Sequence, residues 1–75
     1  MSALSGRVKV AFVSPSTLTT PALAEIHVLD NTGEEHVFFA KGKIATKVIM
    51  LNIQPGQAIT VTHSDKSIES VEVFG

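Results

Sequence analysis

The chain has 75 residues, 44% of them hydrophobic, and a formal net charge of −1. That length holds one domain at most, with enough apolar residues for a core and too many for a disordered tail. The absence of cysteine excludes disulfides and thiolate chemistry, and the near-neutral balance excludes a strongly basic, non-specific nucleic-acid coat.

No stretch is long and apolar enough for a membrane helix. The opening "MSALSGRVKV" lacks the charged start and apolar core of a signal peptide. The expected setting is therefore intracellular and cytoplasmic. A single domain is expected over 1–75, with residues 1–5 as a flexible lead-in.

"RVKVAFVS" (7–14) alternates Val8, Val10 and Phe12 with Arg7, Lys9, Ala11 and Val13, a strand with one strongly apolar face. "SPSTLTTP" (14–21) reads as a loop, since its two prolines resist ladder pairing. "ALAEIHVLD" (22–30) is a second strand, with Ala24, Ile26 and Val28 on one face and Glu25 and His27 on the other. "DNTG" (30–33) is turn chemistry, and "EEHVFFA" (34–40) is the third strand of a hairpin.

Neighbours on a strand face opposite ways, so Phe38 and Phe39 cannot share a core. Placing Val37 and Phe39 with Ile26 and Val28 maximises apolar cross-strand pairs. Two loop lengths keep these faces together: a two-residue loop sets Ile26 against Val37, and a four-residue loop, preferred for its two apolar pairs, sets Ile26 against Phe39 and Val28 against Val37. A three-residue loop would pair Val28 with His36 and mix the faces. Phe38 is then expected to point outward beside Glu25 and His27, with Phe39 in the core.

"GKIATKVIMLNIQPG" (42–56) is ambivalent. Ile44, Val48 and Leu51 share a helical face, while the β-branched residues suit a strand. The bracketing Gly42 and Pro55-Gly56 favour a short helix. "QAITVTH" (57–63) alternates Ile59 and Val61 with Thr60 and Thr62; "SIESVEVF" (67–74) alternates Val71 and Val73 with Glu72. The pattern predicts an all-β fold, a small five-stranded OB-fold barrel with a short helix between strands 3 and 4. An SH3-like barrel is the rival and would usually lack that helix.

The stretch from Val8 to about Phe74 resembles single-stranded-DNA-binding OB domains of the replication protein A and archaeal type. The likeness lies in "AEIHVLDNTGEEHVFFA", with Asp30, Thr32 and Gly33 in an Asp-x-Thr-Gly turn, and in the fourth strand started by Gly56. It implies a ligand across strands 2 and 3, flanked by the strand 1–2 and strand 4–5 loops. It also implies base stacking on the outward residues of strand 3, His36, Phe38 and Ala40, with Phe38 as the platform.

The expected function is non-enzymatic binding of single-stranded nucleic acid, DNA in preference to RNA, with no cofactor. The expected site is Arg7, Lys9, His27, His36, Phe38, Lys41, Lys43 and Lys66, the cations serving phosphates. His27 and His36 could supply half a metal site, but four ligands are usual and no further spacing fits, so no metal is expected. No nucleophile elbow or phosphate-cradling glycine loop is present. The alternative is a protein–protein or homo-oligomeric assembly module using exposed Phe38, Val13 and Phe74.

Overall fold

A computed structural model describes residues 1–74. The elements are β1 (Ser2–Ser14), β2 (Leu23–Leu29), β3 (Glu35–Lys41), α1 (Lys43–Met50), β4 (Ala58–Ser64) and β5 (Ser67–Phe74). The strands close into one barrel in the order β1-β2-β3-β5-β4. Five strands with a short helix between the third and fourth form the OB-fold architecture that the alternation predicts.

Closure depends on β1, which is long enough to serve two neighbours. Its residues Arg7–Ser14 pair with β2, its residues Ser2–Arg7 with β4, and Arg7 pairs with both Leu29 and Ala58. At this crossover Gly6 is obligatory in size: an added Cβ would sit 2.2 Å from the Leu29 carbonyl oxygen. Residues 2–5, expected as a flexible lead-in, are instead strand, with Ser2 to Ser5 opposite His63 to Thr60.

Two local features set which side chains face the core. The first is the hairpin turn. Gly33 donates to the Asp30 carbonyl, Asp30 donates to the Glu34 carbonyl, and Gly33 has φ 85°. This is a three-residue loop with glycine in the left-handed position that closes it, a common hairpin connection. It sets Ile26 opposite Phe38 and Val28 opposite His36. The four-residue loop expected from apolar matching is corrected, because turn geometry fixes register more strongly than the sum of side-chain pairs. Phe38 is consequently in the core at 4% exposure and Phe39 is outside at 46%, the reverse of the expectation.

The second feature is a β-bulge in β1. The pairing with β2 shifts between Val8 and Val10, leaving Lys9 as the extra residue. Val8 is buried, but beyond the bulge the alternation inverts, and Phe12 emerges on the outer face at 58% exposure. The single apolar face expected for Val8, Val10 and Phe12 is therefore split.

The core is Val8, Ala24, Ile26, Val28, Phe38, Ala40, Ile59, Val61 and Ile68 from the strands, with Ala45 and Val48 from α1. The helix packs against β2, β3 and β5 and covers one end of the barrel. Ala45 is the position in its inward face that the spacing of Ile44, Val48 and Leu51 missed, while Leu51 stays exposed. Among the described residues no polar or charged side chain is buried, and no buried side-chain polar atom lacks a partner. Among the described residues no helix is long and apolar enough to cross a membrane.

Candidate ligand-binding face

The registers of β1, β2 and β3 place Phe12, Glu25 and Phe39 in one cross-strand row on the outer face. Adjacent strands lie about 4.8 Å apart, so the two phenylalanines stand about 10 Å from one another with Glu25 between them. The next outward pair toward α1, Leu23 and Lys41, adjoins the row. Phe12, Leu23, Glu25, Phe39, Lys41 and Ile44 line a cleft of about 550 Å³. Its floor is apolar, and its margin carries one carboxylate and one ammonium.

Phe39 is held from both sides. It pairs with Glu25 on β2, and its N–H donates to the Lys66 carbonyl (2.8 Å) beside its single parallel pairing with Ser67. The β4–β5 connection is the two-residue turn Asp65-Lys66, with Asp65 at φ 55°. His63 Nδ1 donates to the Asp65 carbonyl at 2.7 Å and steadies that turn. Lys66 thus sits next to Phe39 by backbone position, and its side chain borders a neighbouring cleft with His36, His63 and Phe38.

Beyond Lys41, Gly42 donates to the Ala22 carbonyl (2.8 Å), which ties the end of the β1–β2 loop to the start of α1. Lys43 and Lys47 lie there with Ser16 and Pro21. Leu18 projects fully into solvent from the same loop, whose backbone is turned by Thr17 and Thr20 hydroxyls 2.7 Å apart.

The acidic residues of this face are bound by its histidine. His27 Nδ1 lies 2.6 Å from Glu35 Oε2, and its Nε2 lies 2.5 Å from Glu25 Oε2. Lys9 Nζ holds the other Glu35 oxygen at 2.7 Å. The hydrogen bonds that His27 donates to Glu35 first, then Glu25, raise the His27 pKa above its ordinary value, and accepting from His27, then from Lys9, lowers that of Glu35. The ring of Phe12 meets His27 edge-on, with centroids 5.8 Å apart.

The structure therefore gathers some of the expected residues and separates others. Lys41 shares the cleft of Phe39, Lys66 adjoins Phe39 through its backbone, and Lys43 lies beyond Lys41 beside the β1–β2 loop; none of the three forms an ion pair among the described residues. Lys9 is committed to Glu35. Arg7 lies on the β1 segment shared by β2 and β4 and donates to the Gly56 carbonyl at 3.1 Å, lining a separate surface hollow. His36 is on the core-facing side of β3, stacked parallel to Phe38 with centroids 6.5 Å apart, while His63 covers Phe38 with centroids 4.4 Å apart. Enclosed in this way, Phe38 has no free ring face, so its expected role as stacking platform is corrected along with its direction. Sequence reasoning put Phe12 and Phe39 on the apolar, inward faces and did not single out Leu23; the glycine closing the "DNTG" turn was the signal that could have placed Phe39.

His27 and His36 do not form a half-site, because they lie on opposite faces of the sheet. A different trio, Asp30, Glu34 and His36, brings ligand-type atoms within 4.8 Å of one another. Two of its members are already occupied: Asp30 Oδ1 accepts from the Thr32 amide (2.8 Å), the Thr32 hydroxyl (2.6 Å) and the Glu34 backbone amide (3.0 Å), and Oδ2 meets His36 Nε2 at 2.8 Å. The Thr32 hydroxyl, then His36, hold the Asp30 carboxyl well below the usual range. Asp30, with Thr32, His36 and the Glu34 backbone, is a turn lock.

No protein family, curated protein or solved structure matches the chain.

Proposed function

We propose that the protein is a non-enzymatic domain that binds single-stranded nucleic acid, DNA in preference to RNA, on the outer face of β1, β2 and β3. The observation that carries this reading is the row Phe12–Glu25–Phe39, two half-exposed aromatic rings beside an apolar cleft with Lys41 at its margin. Aromatic faces accept any base, and each stacked base is worth about 1–3 kcal/mol. Lys41, Lys43 and Lys66 supply the phosphate contacts. The likeness of the Asp30-x-Thr32-Gly33 turn and the Gly56-led fourth strand to single-stranded-DNA-binding OB domains supports the same choice of face.

The test is an anisotropy titration with a labelled oligonucleotide at two salt concentrations. Three phosphate contacts give a log–log slope of about −2 on single strands. Micromolar protein that shows no salt-sensitive binding would sink the reading.

A second reading is self-assembly through the same face. Its support is the three exposed apolar side chains that this face gathers, Phe12, Leu23 and Phe39. Light scattering separates the two: a stable oligomer that ignores oligonucleotides favours assembly.

A further inference from the structure

His27 occupies the middle of the proposed face, and both of its ring nitrogens point at carboxylate oxygens. Carboxylates only accept, so satisfying both contacts requires the doubly protonated ring. The charged groups around it come from all three strands: Lys9 on β1, Glu35 on β3 and Glu25 on β2 itself. With the ring protonated these charges cancel. With the ring neutral one negative charge is left over, and Glu25 is then uncompensated between Phe12 and Phe39.

Resting on the nucleic-acid reading above, we propose that His27 is the positioning residue that makes this face acceptable to a polyanionic strand. It does so by drawing the Glu25 and Glu35 carboxylates onto its two nitrogens. Glu25 is two residues from His27 on β2, so this contact pulls its carboxylate along the strand and off the line between the two aromatic rings. Lys9 alone cannot substitute, because it reaches only Glu35. The raised His27 pKa keeps the ring charged to higher pH than an isolated imidazole, and the effect is lost as pH rises through that raised value.

The test is the affinity for fluorescein-labelled oligothymidylate from pH 6 to 9 at constant ionic strength. The His27 ring is followed by NMR in the same buffers, so its own midpoint is known. An uncompensated carboxylate a few ångströms from a phosphate near the surface should weaken binding roughly 3- to 10-fold. The wild-type affinity should fall by that factor through the His27 midpoint. His27→Gln should bind weakly with no step there, and Glu25→Gln should bind well on both sides of it. The inference is overturned if the wild-type shows no step at that midpoint. It is equally overturned if Glu25→Gln or a folded His27→Gln keeps the wild-type step, which would assign it to His36 or His63. In each of those cases the nucleic-acid reading survives. Wild-type protein that binds no oligonucleotide at any pH overturns both.

Discussion

Ile26 and Phe38 lie directly opposite one another in the β2–β3 pair, and both turn into the barrel. That single pairing sends Phe39 outward to join Glu25 and Phe12. Residue 38 is therefore a packing position and residue 39 a surface one. Phe38→Ala should cost about 3–5 kcal/mol, a large share of the stability of so small a domain. Phe39→Ala should change stability by about 1 kcal/mol or less, as expected for a half-exposed position. In oligonucleotide binding the order reverses. Phe39→Ala, and Phe12→Ala with it, should each cost about 1–3 kcal/mol of affinity while urea melts stay near wild type. Melts and titrations on the same variants check both halves.

Gly6 and Gly33 are both demanding positions, for different reasons. At Gly6 the obstacle is steric, since a Cβ would strike the Leu29 carbonyl at the strand crossover. Gly6→Ala should cost about 1–3 kcal/mol as β1 and β2 are forced apart. At Gly33 there is open space, and the obstacle is the φ of 85°. Gly33→Ala should cost about 1–2 kcal/mol, and Gly33→Asn less, because asparagine tolerates the left-handed region. Urea midpoints for the three variants distinguish a clash from a conformational penalty.

The strand positions and the helix were legible because hydrophobic alternation and the flanking glycines and prolines mark elements directly. The faces were not. In β3, Val37 and Phe39 are as apolar as Phe38, so composition does not say which set is inside; the backbone of the "DNTG" turn decides, through the left-handed Gly33. In β1 the bulge at Lys9 inverts the alternation without leaving any mark in residue type. Phe12 therefore looked like core, and the aromatic row across three strands could not be assembled. The lysines near the end of β3 were legible as a group. Their split into committed Lys9 and, among the described residues, unpaired Lys41, Lys43 and Lys66 depends on which carboxylate each can reach, and that is a property of register.

Folding stability should fall at both ends of the pH range, for opposite reasons. Asp30 and Glu35 have lowered pKa values when folded. Their contribution is complete above the ordinary carboxylate range, near about 4, and is lost as pH falls through the lowered values. His27 has a raised pKa, so its contribution is complete below about 6.5 and is lost as pH rises through the raised value. The melting temperature should therefore be highest at mildly acidic pH. Asp30→Ala should lower it and remove part of the acid-side slope, since the turn lock to Thr32 and His36 is gone. His27→Gln should flatten the alkaline side. Thermal melts across pH 3 to 9 check all three curves.

Lysine substitutions should divide by whether the ammonium already has a partner. Lys41, Lys43 and Lys66 form no ion pairs among the described residues, so each is free to release counterions when a phosphate arrives. Replacing any one with alanine should weaken oligonucleotide binding and make the salt slope shallower by about 0.7. Lys9 differs because its charge is held by Glu35 at 2.7 Å. Lys9→Ala should leave the slope unchanged, yet it should still weaken binding modestly, since one negative charge of the Glu35–His27–Glu25 set then goes uncompensated. The two effects separate in titrations at several salt concentrations. If Lys9→Ala lowers the slope as much as Lys41→Ala does, phosphates reach past the Glu35–His27–Glu25 chain and the bound strand runs over β1 rather than along β3.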